Sequence, residues 1–158
     1  MSDLHPDLAQ VAFLAGKWAG SGHGDYPTIE PFDYREEITF ANPPRKPFLA
    51  YRQHTWSVVD GTPLHTESGY LRAGSGGSWE LVIAQPSGFA EAYRGRLRDA
   101  VLEFETTSIA ATPTAKSVER IRRTITVKGE ELTYRVEMAA VDHPMQQHLS
   151  AILRRVVN

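Results

Sequence analysis

Histidines and carboxylates are the side chains in this sequence whose chemistry could define a site. The histidines are His5, His23, His54, His65, His143 and His148. None stands in an HExxH pattern, and no pair has a spacing that signals zinc. Glu67 shares strand parity with His65 in the stretch Leu64–Tyr70. Glu30, Asp33, Glu36 and Glu37 cluster near the start of a strand, where the expected environment is a solvated face. Ser21 and Ser87 stand beside glycine but not in a GxSxG elbow. A lone histidine on a strand is commonly a surface or hydrogen-bonded residue. Residue types and spacing therefore leave the role of each histidine open.

The chain has no cysteine. That removes disulfides, thiolate zinc sites, iron–sulfur clusters, a cysteine nucleophile and covalent c-type haem attachment. It also fits a reducing, cytoplasmic setting.

The elements that must position these groups are organised around residues 16–29, GKWAGSGHGDYPTI. Gly16, Gly20, Gly22 and Gly24 share one parity with Trp18. Glycines so spaced leave one face of a strand free for a close neighbour, either another backbone or a flat ligand. A nucleotide-binding reading fails. GxGxxG from Gly20 or Gly22 needs glycine where Asp25 and Pro27 stand, and Gly16-Lys17 is followed by Trp18, not Ser or Thr. A bent, glycine-relieved first strand of a barrel fits the spacing best.

The remaining chain supports that reading. Its 158 residues, 41% apolar and 23% charged, are expected to form one domain over 1–158 with a real core. A net charge of -2 gives no footprint for nucleic acid or an anionic membrane. The N-terminal stretch lacks the basic flank and apolar run of a secretory signal or a membrane span. Pro6 opens a short helix suited to plugging one end of a barrel. From there the periodicity is two. Strands are expected at Tyr34–Phe40, Phe48–Val59, Leu64–Arg72, Trp79–Gln85, Phe89–Leu97, Val101–Ser108, Val118–Val127 and Glu131–Val141, with turns at Asp60-Gly61 and Lys128-Gly129. The last segment, Gln147–Val156, has both helical and strand spacing. It is read as a strand because a barrel that opens at Trp18 needs one to close on. On that reading His148, Ser150 and Ile152 share one face. The fold class is all-β: a ten-stranded antiparallel barrel, of the fatty-acid-binding-protein or lipocalin-like type, wide enough to enclose a ligand. A closed barrel has no free edge that demands a partner, so the sequence leaves the oligomeric state open and a monomer fits.

Several stretches together resemble the nitrobindin family. Residues 16–22, GKWAGSG, match its GxWxGxG signature, and Tyr26-Pro27-Thr28-Ile29 continues it. The stretches 63–72, 80–88, 113–116 and 147–153 are also similar to that family, in order and at similar spacing. The resemblance runs from about Leu14 to Arg155. It implies a barrel holding non-covalent, mainly ferric haem b near one open end. It also implies binding of nitric oxide and isomerisation of peroxynitrite to nitrate. Carried over position by position, His148 is the proximal iron ligand, Thr28 contacts the haem, and His65 lies on the distal side. No protein acid or base is required on this account, so changes to the carboxylates are expected to matter little.

Two other readings use the same barrel. One is a haem-bearing sensor or carrier of nitric oxide without turnover. The other is a haem-free carrier of a fatty acid or similar apolar ligand. The latter would want a buried Arg–Tyr pair to clamp a carboxylate, with Arg52, Arg94, Arg135 and Tyr134 as candidates.

Overall fold

The structure is a computed structural model that describes residues 3–157. Met1, Ser2 and Asn158, part of the expected 1–158 domain, lie outside the described residues. A 3-10 helix, Pro6–Leu14, precedes ten strands. These are β1 (Gly16–Tyr26), β2 (Ile29–Ala41), β3 (Phe48–Ser57), β4 (Pro63–Ala73), β5 (Trp79–Ala84), β6 (Phe89–Arg98), β7 (Val101–Ala111), β8 (Val118–Lys128), β9 (Glu131–Ala140) and β10 (Gln146–Arg155). They form a closed barrel in which each strand pairs antiparallel with its sequence neighbour and β10 closes on β1. The last segment is thus a strand, as the closure argument requires. Among the described residues no helix is long and apolar enough to cross a membrane.

The helix does close one end. Leu8, Val11 and Leu14 are its fully buried residues. Their spacing of three is the repeat of a 3-10 helix, whose three residues per turn stack them on one face. Trp18 Nε1 donates to the Leu14 carbonyl at 2.9 Å. Arg155 stacks over the Trp18 ring at 4.2 Å and donates to the Phe13 and Ala15 carbonyls at 2.8 and 2.7 Å. The last strand therefore secures the plug through a cation–π contact and two charge-assisted hydrogen bonds.

The glycine-rich strand is filled by the protein itself. A Cβ on Gly20 would lie 2.1 Å from the Ile152 carbonyl oxygen, so β10 passes over β1 backbone to backbone. A Cβ on Gly22 would lie 2.4 Å from the Tyr34 ring, and one on Gly24 would lie 2.4 Å from the Phe32 ring. The flat neighbours of this face are thus two aromatic rings of β2. Both rings then line the cavity at the open end.

Candidate functional site

Opposite the plug, the barrel opens into a cavity of about 710 Å³. This lies within the usual range of about 300–1,000 Å³ for small-molecule and cofactor sites. Most of its wall is apolar, with Phe32, Phe89, Val118, Val136 and Met138 among the lining residues. A wider hollow of about 890 Å³ lies on the outer face of β6 to β9. Its lining is dominated by Arg94, Arg96, Arg122, Arg135 and facing glutamates, so it offers nothing to a planar apolar group.

Of the six histidines, His65 and His148 line the inner cavity. His148 does so through a β-bulge. Gln147 pairs with Glu137 and Leu149 with Val136, so His148 is an extra residue without a ladder partner on β9. His148 and Leu149 can therefore both line the cavity although they are neighbours in sequence. This corrects the expected shared wall of His148, Ser150 and Ile152. Ile152 points outward at 58% exposure, while Ala151 and Leu153 are buried.

The end of β1 fixes the imidazole. The β1–β2 register shifts between Gly24 and Tyr26, leaving Asp25 in neither flanking ladder. His148 Nδ1 lies 3.0 Å from the Asp25 carbonyl oxygen. A carbonyl only accepts, so Nδ1 carries the proton and Nε2 keeps its lone pair. Burial pushes the His148 pKa down, against the opposing pull of the Asp25 carbonyl. The ring is thus held neutral, the form that ligates a metal. Tyr26 supports it edge-on at 5.5 Å between ring centres. Tyr26 is itself fixed, because its hydroxyl accepts from the Ala140 amide at 2.9 Å. His143 also packs edge-on against Tyr26, at 5.9 Å, and does not line the cavity.

Thr28 sits at the rim, exposed, in the turn that Pro27 begins. Thr114 and Lys116 join it from the segment before β8. An ammonium at the mouth of an apolar cavity suits the acidic edge of an amphipathic ligand. Lys116 is a site residue that the sequence reading did not single out. Its signal was the matched stretch Pro113–Lys116. Val141, also lining the cavity, is a β-branched residue at φ 50°. Such strained backbone concentrates at functional sites.

His65 enters from β4 on the opposite wall, and behind it lies a charged cluster that the sequence reading missed. Arg123 of β8 is buried and bidentate to Glu67, with distances of 3.0 and 2.8 Å. It also donates to Glu91 at 3.3 Å and to the Tyr93 hydroxyl at 2.8 Å. Tyr51 donates to Glu67, and Tyr93 to Glu91, at 2.8 and 2.7 Å. Burial alone would push Glu67 up, but the Arg123 charge and several hydrogen bonds hold it well below the usual carboxylate range. Glu91 is pushed up by burial, which Arg123 only partly offsets. The Arg–Tyr pair sought for a lipid carrier therefore exists, but as Arg123 with Tyr51 and Tyr93. Arg52, Arg94 and Arg135 are all exposed, and Tyr134 belongs to a different cluster.

That second cluster corrects the solvated reading of Glu36, which is buried at 1% exposure. Gln53 and Tyr134 donate to its Oε2 at 2.6 and 2.9 Å. Tyr134 bonds in turn to Tyr34 at 2.6 Å. Glu36 Oε1 and Gln53 Oε1 have no hydrogen-bond partner. Burial pushes the Glu36 pKa up to about 7. A folded pKa above the unfolded one means that the native state binds more protons between those values, so stability falls as pH rises through that window. From the ordinary carboxyl value of 4.5, the window runs up to about 7. Glu36→Gln keeps an acceptor for Gln53 and Tyr134 and replaces the partnerless oxygen by a donor. The variant is expected to be more stable than wild type at pH 8, by at most about 3 kcal/mol. The gain should vanish near pH 4. Thermal melts at the two pH values check this, and a variant less stable at pH 8 contradicts it.

The residues fit a haem. One neutral imidazole presents Nε2 to an apolar cavity of suitable size, and a lysine and a threonine stand at its mouth. Among the described residues no three His, Asp or Glu side chains gather to hold a bare metal ion.

Comparison with known proteins gives the family. The family model described as "THAP4-like, heme-binding beta-barrel domain" matches residues 7–155. The chain is 52% identical to peroxynitrite isomerase 2 of Mycobacterium ulcerans, over 98% of both proteins. It is 51% identical to peroxynitrite isomerase 1 of Mycolicibacterium paratuberculosis, again over 98% of both. The crystal structure of Rv2717c from M. tuberculosis superposes with a TM-score of 0.90 at 46% identity, covering 98% of this chain and 99% of that one. A family match over nearly the whole chain, on a barrel of the expected topology, bears out the resemblance read from the glycine-tryptophan motif: the chain belongs to the THAP4-like heme-binding β-barrel family.

Proposed function

We propose that the chain is a single-domain, cytoplasmic ferric haem b protein that binds nitric oxide and isomerises peroxynitrite to nitrate. The observation that carries this reading is the His148 imidazole, neutral and oriented by Asp25 with Nε2 left for iron. Full-length relatives named peroxynitrite isomerase support the reaction. When bound, the haem supplies an open coordination position at which a small nitrogen oxide reacts.

The chain's own residues do the rest. His148 holds the iron on one side. The mostly apolar wall would receive the macrocycle, and Lys116 would meet a haem carboxylate at the mouth. Thr28, at the same rim, would donate one hydrogen bond to the haem. Thr28→Ala is expected to weaken haem retention by about 1 kcal/mol, roughly fivefold in dissociation constant. Transfer of haem to an apoglobin acceptor measures this, and unchanged transfer counts against Thr28 as a contact.

Arg123 argues against the lipid carrier. A fatty-acid clamp needs free guanidinium donors, whereas Arg123 already serves Glu67, Glu91 and Tyr93. A lipid carboxylate would meet two carboxylates there.

The test is rapid mixing of peroxynitrite with the haem-loaded protein. Faster decay and a higher yield of nitrate relative to nitrite are expected. A Soret band that shifts with nitric oxide, together with unchanged peroxynitrite decay, would identify a sensor instead.

A further inference from the structure

Gln85 stands between His65 and the charged cluster, and its orientation is forced. Its Nε2 donates to Glu67, and also to Glu91 Oε1 at 3.2 Å. The ionised Glu67 only accepts, so the amide nitrogen must face it and Oε1 must face away. His65 Nε2 lies 2.7 Å from that Oε1. An amide oxygen also only accepts, so His65 Nε2 must carry a proton. In the neutral ring, Nδ1 is then the basic nitrogen.

The backbones on both sides are fixed. Gln85 sits in the β5–β6 turn, with its amide bonded to Phe89 at 2.8 Å and its carbonyl to Gly88 at 3.1 Å. The His65 amide donates to the Thr55 hydroxyl at 3.0 Å. The relay is thus built from anchored parts.

We propose that Gln85 is a positioning residue that holds His65 in its Nε2–H form, leaving Nδ1 to take the proton of an acidic ligand in the cavity. The choice of ligand rests on the function proposed above, since peroxynitrite has an acid form, HOONO. The hydrogen bonding of His65 does not rest on it. The step balances as a proton transfer. The O–H bond of HOONO breaks, an N–H bond forms at Nδ1, and ONOO⁻ is released with no change in electron count. After nitrate leaves, Nδ1 returns the proton to water. The imidazolium formed in between faces Glu67, whose Oε2 is 3.8 Å from Nε2. Other groups acting on His65 are Gln85 (which itself bonds Glu91 of β6), Arg123 of β8 and, across the cavity, His148 of β10. Burial opposes a charge on His65, but Glu67 and Gln85 outweigh it and raise its pKa. This adds a proton acceptor to an account that required none.

The first test is long-range proton–nitrogen correlation spectroscopy of the haem-free wild-type protein, followed through a pH titration. His65 is expected to show the Nε2–H tautomer above its pKa, and a predominant Nδ1–H form overturns the proposal. Gln85→Met keeps the length and removes the acceptor. It is expected to lose the single tautomer and, once loaded with haem, to shift the pH midpoint of peroxynitrite decay downward with its Soret band intact. A retained tautomer or an unmoved midpoint overturns the proposal. A misfolded variant leaves the wild-type spectrum to decide. If the loaded wild type leaves peroxynitrite decay unchanged, the proposed function fails, and the choice of HOONO with it. The tautomer measurement stands apart from that outcome.

Discussion

His148→Ala is expected to give a folded barrel that neither retains haem nor accelerates nitrate formation. The fold should survive because His148 is an extra residue in a bulge with no ladder partner on β9. What disappears is the one neutral imidazole whose Nε2 is left for iron while Nδ1 donates to Asp25. No nearby histidine offers its Nε2 in the same way. His143 packs on Tyr26, outside the cavity lining. His65 has Nε2 engaged by Gln85. Gel filtration after loading with hemin, followed by the Soret absorbance, reads the loss directly. His65→Ala and His143→Ala should both keep the Soret band. A His148→Ala protein that keeps both the band and the activity would mean that iron is held elsewhere.

Arg123→Met is expected to be the most destabilising single change in the barrel wall. It leaves Glu67 and Glu91 buried without their cation, and breaking such a set by removing one partner costs about 3–5 kcal/mol. The pH dependence carries the sign. In wild type the depressed Glu67 pKa adds stability above its unfolded value, and that stability is lost as pH falls through the folded one. Without Arg123, burial pushes both carboxyls up, so the variant should gain stability as pH falls. The difference from wild type should shrink between pH 7 and pH 4. Urea denaturation at the two pH values measures it, and a pH-independent difference would contradict the assigned charges. The expectation that carboxylate changes matter little concerned the chemistry; for Glu67 and Glu91 the buried pairing with Arg123 adds an expected cost in stability.

The fold was legible in the sequence because antiparallel barrels write their pattern locally. Alternation and turn residues located all ten strands, and Pro6 marked the start of the plug helix. Arg123 was legible too, since it shares parity with Ile121, Ile125 and Val127 on β8. Glu36 likewise alternates with Tyr34, Ile38 and Phe40. Both were passed over because charge was allowed to outweigh periodicity. The inward turn of His148 was not legible from its own strand. Strict alternation groups it with the outward-facing Ile152, and only the two-against-one pairing with β9 reverses that. The Asp25 carbonyl is equally invisible, since it becomes available through a register shift between β1 and β2. Family resemblance reached His148 where periodicity could not.

The central claim is that His148, fixed by Asp25, holds the iron of a haem in the open end of the barrel. A crystal structure of the hemin-loaded protein tests it most directly. The account predicts iron bonded to His148 Nε2, the Nδ1 bond to Asp25 intact, and the haem carboxylates at the rim near Thr28 and Lys116. Iron bonded to His65 or His143, or a haem bound outside this cavity, would contradict it.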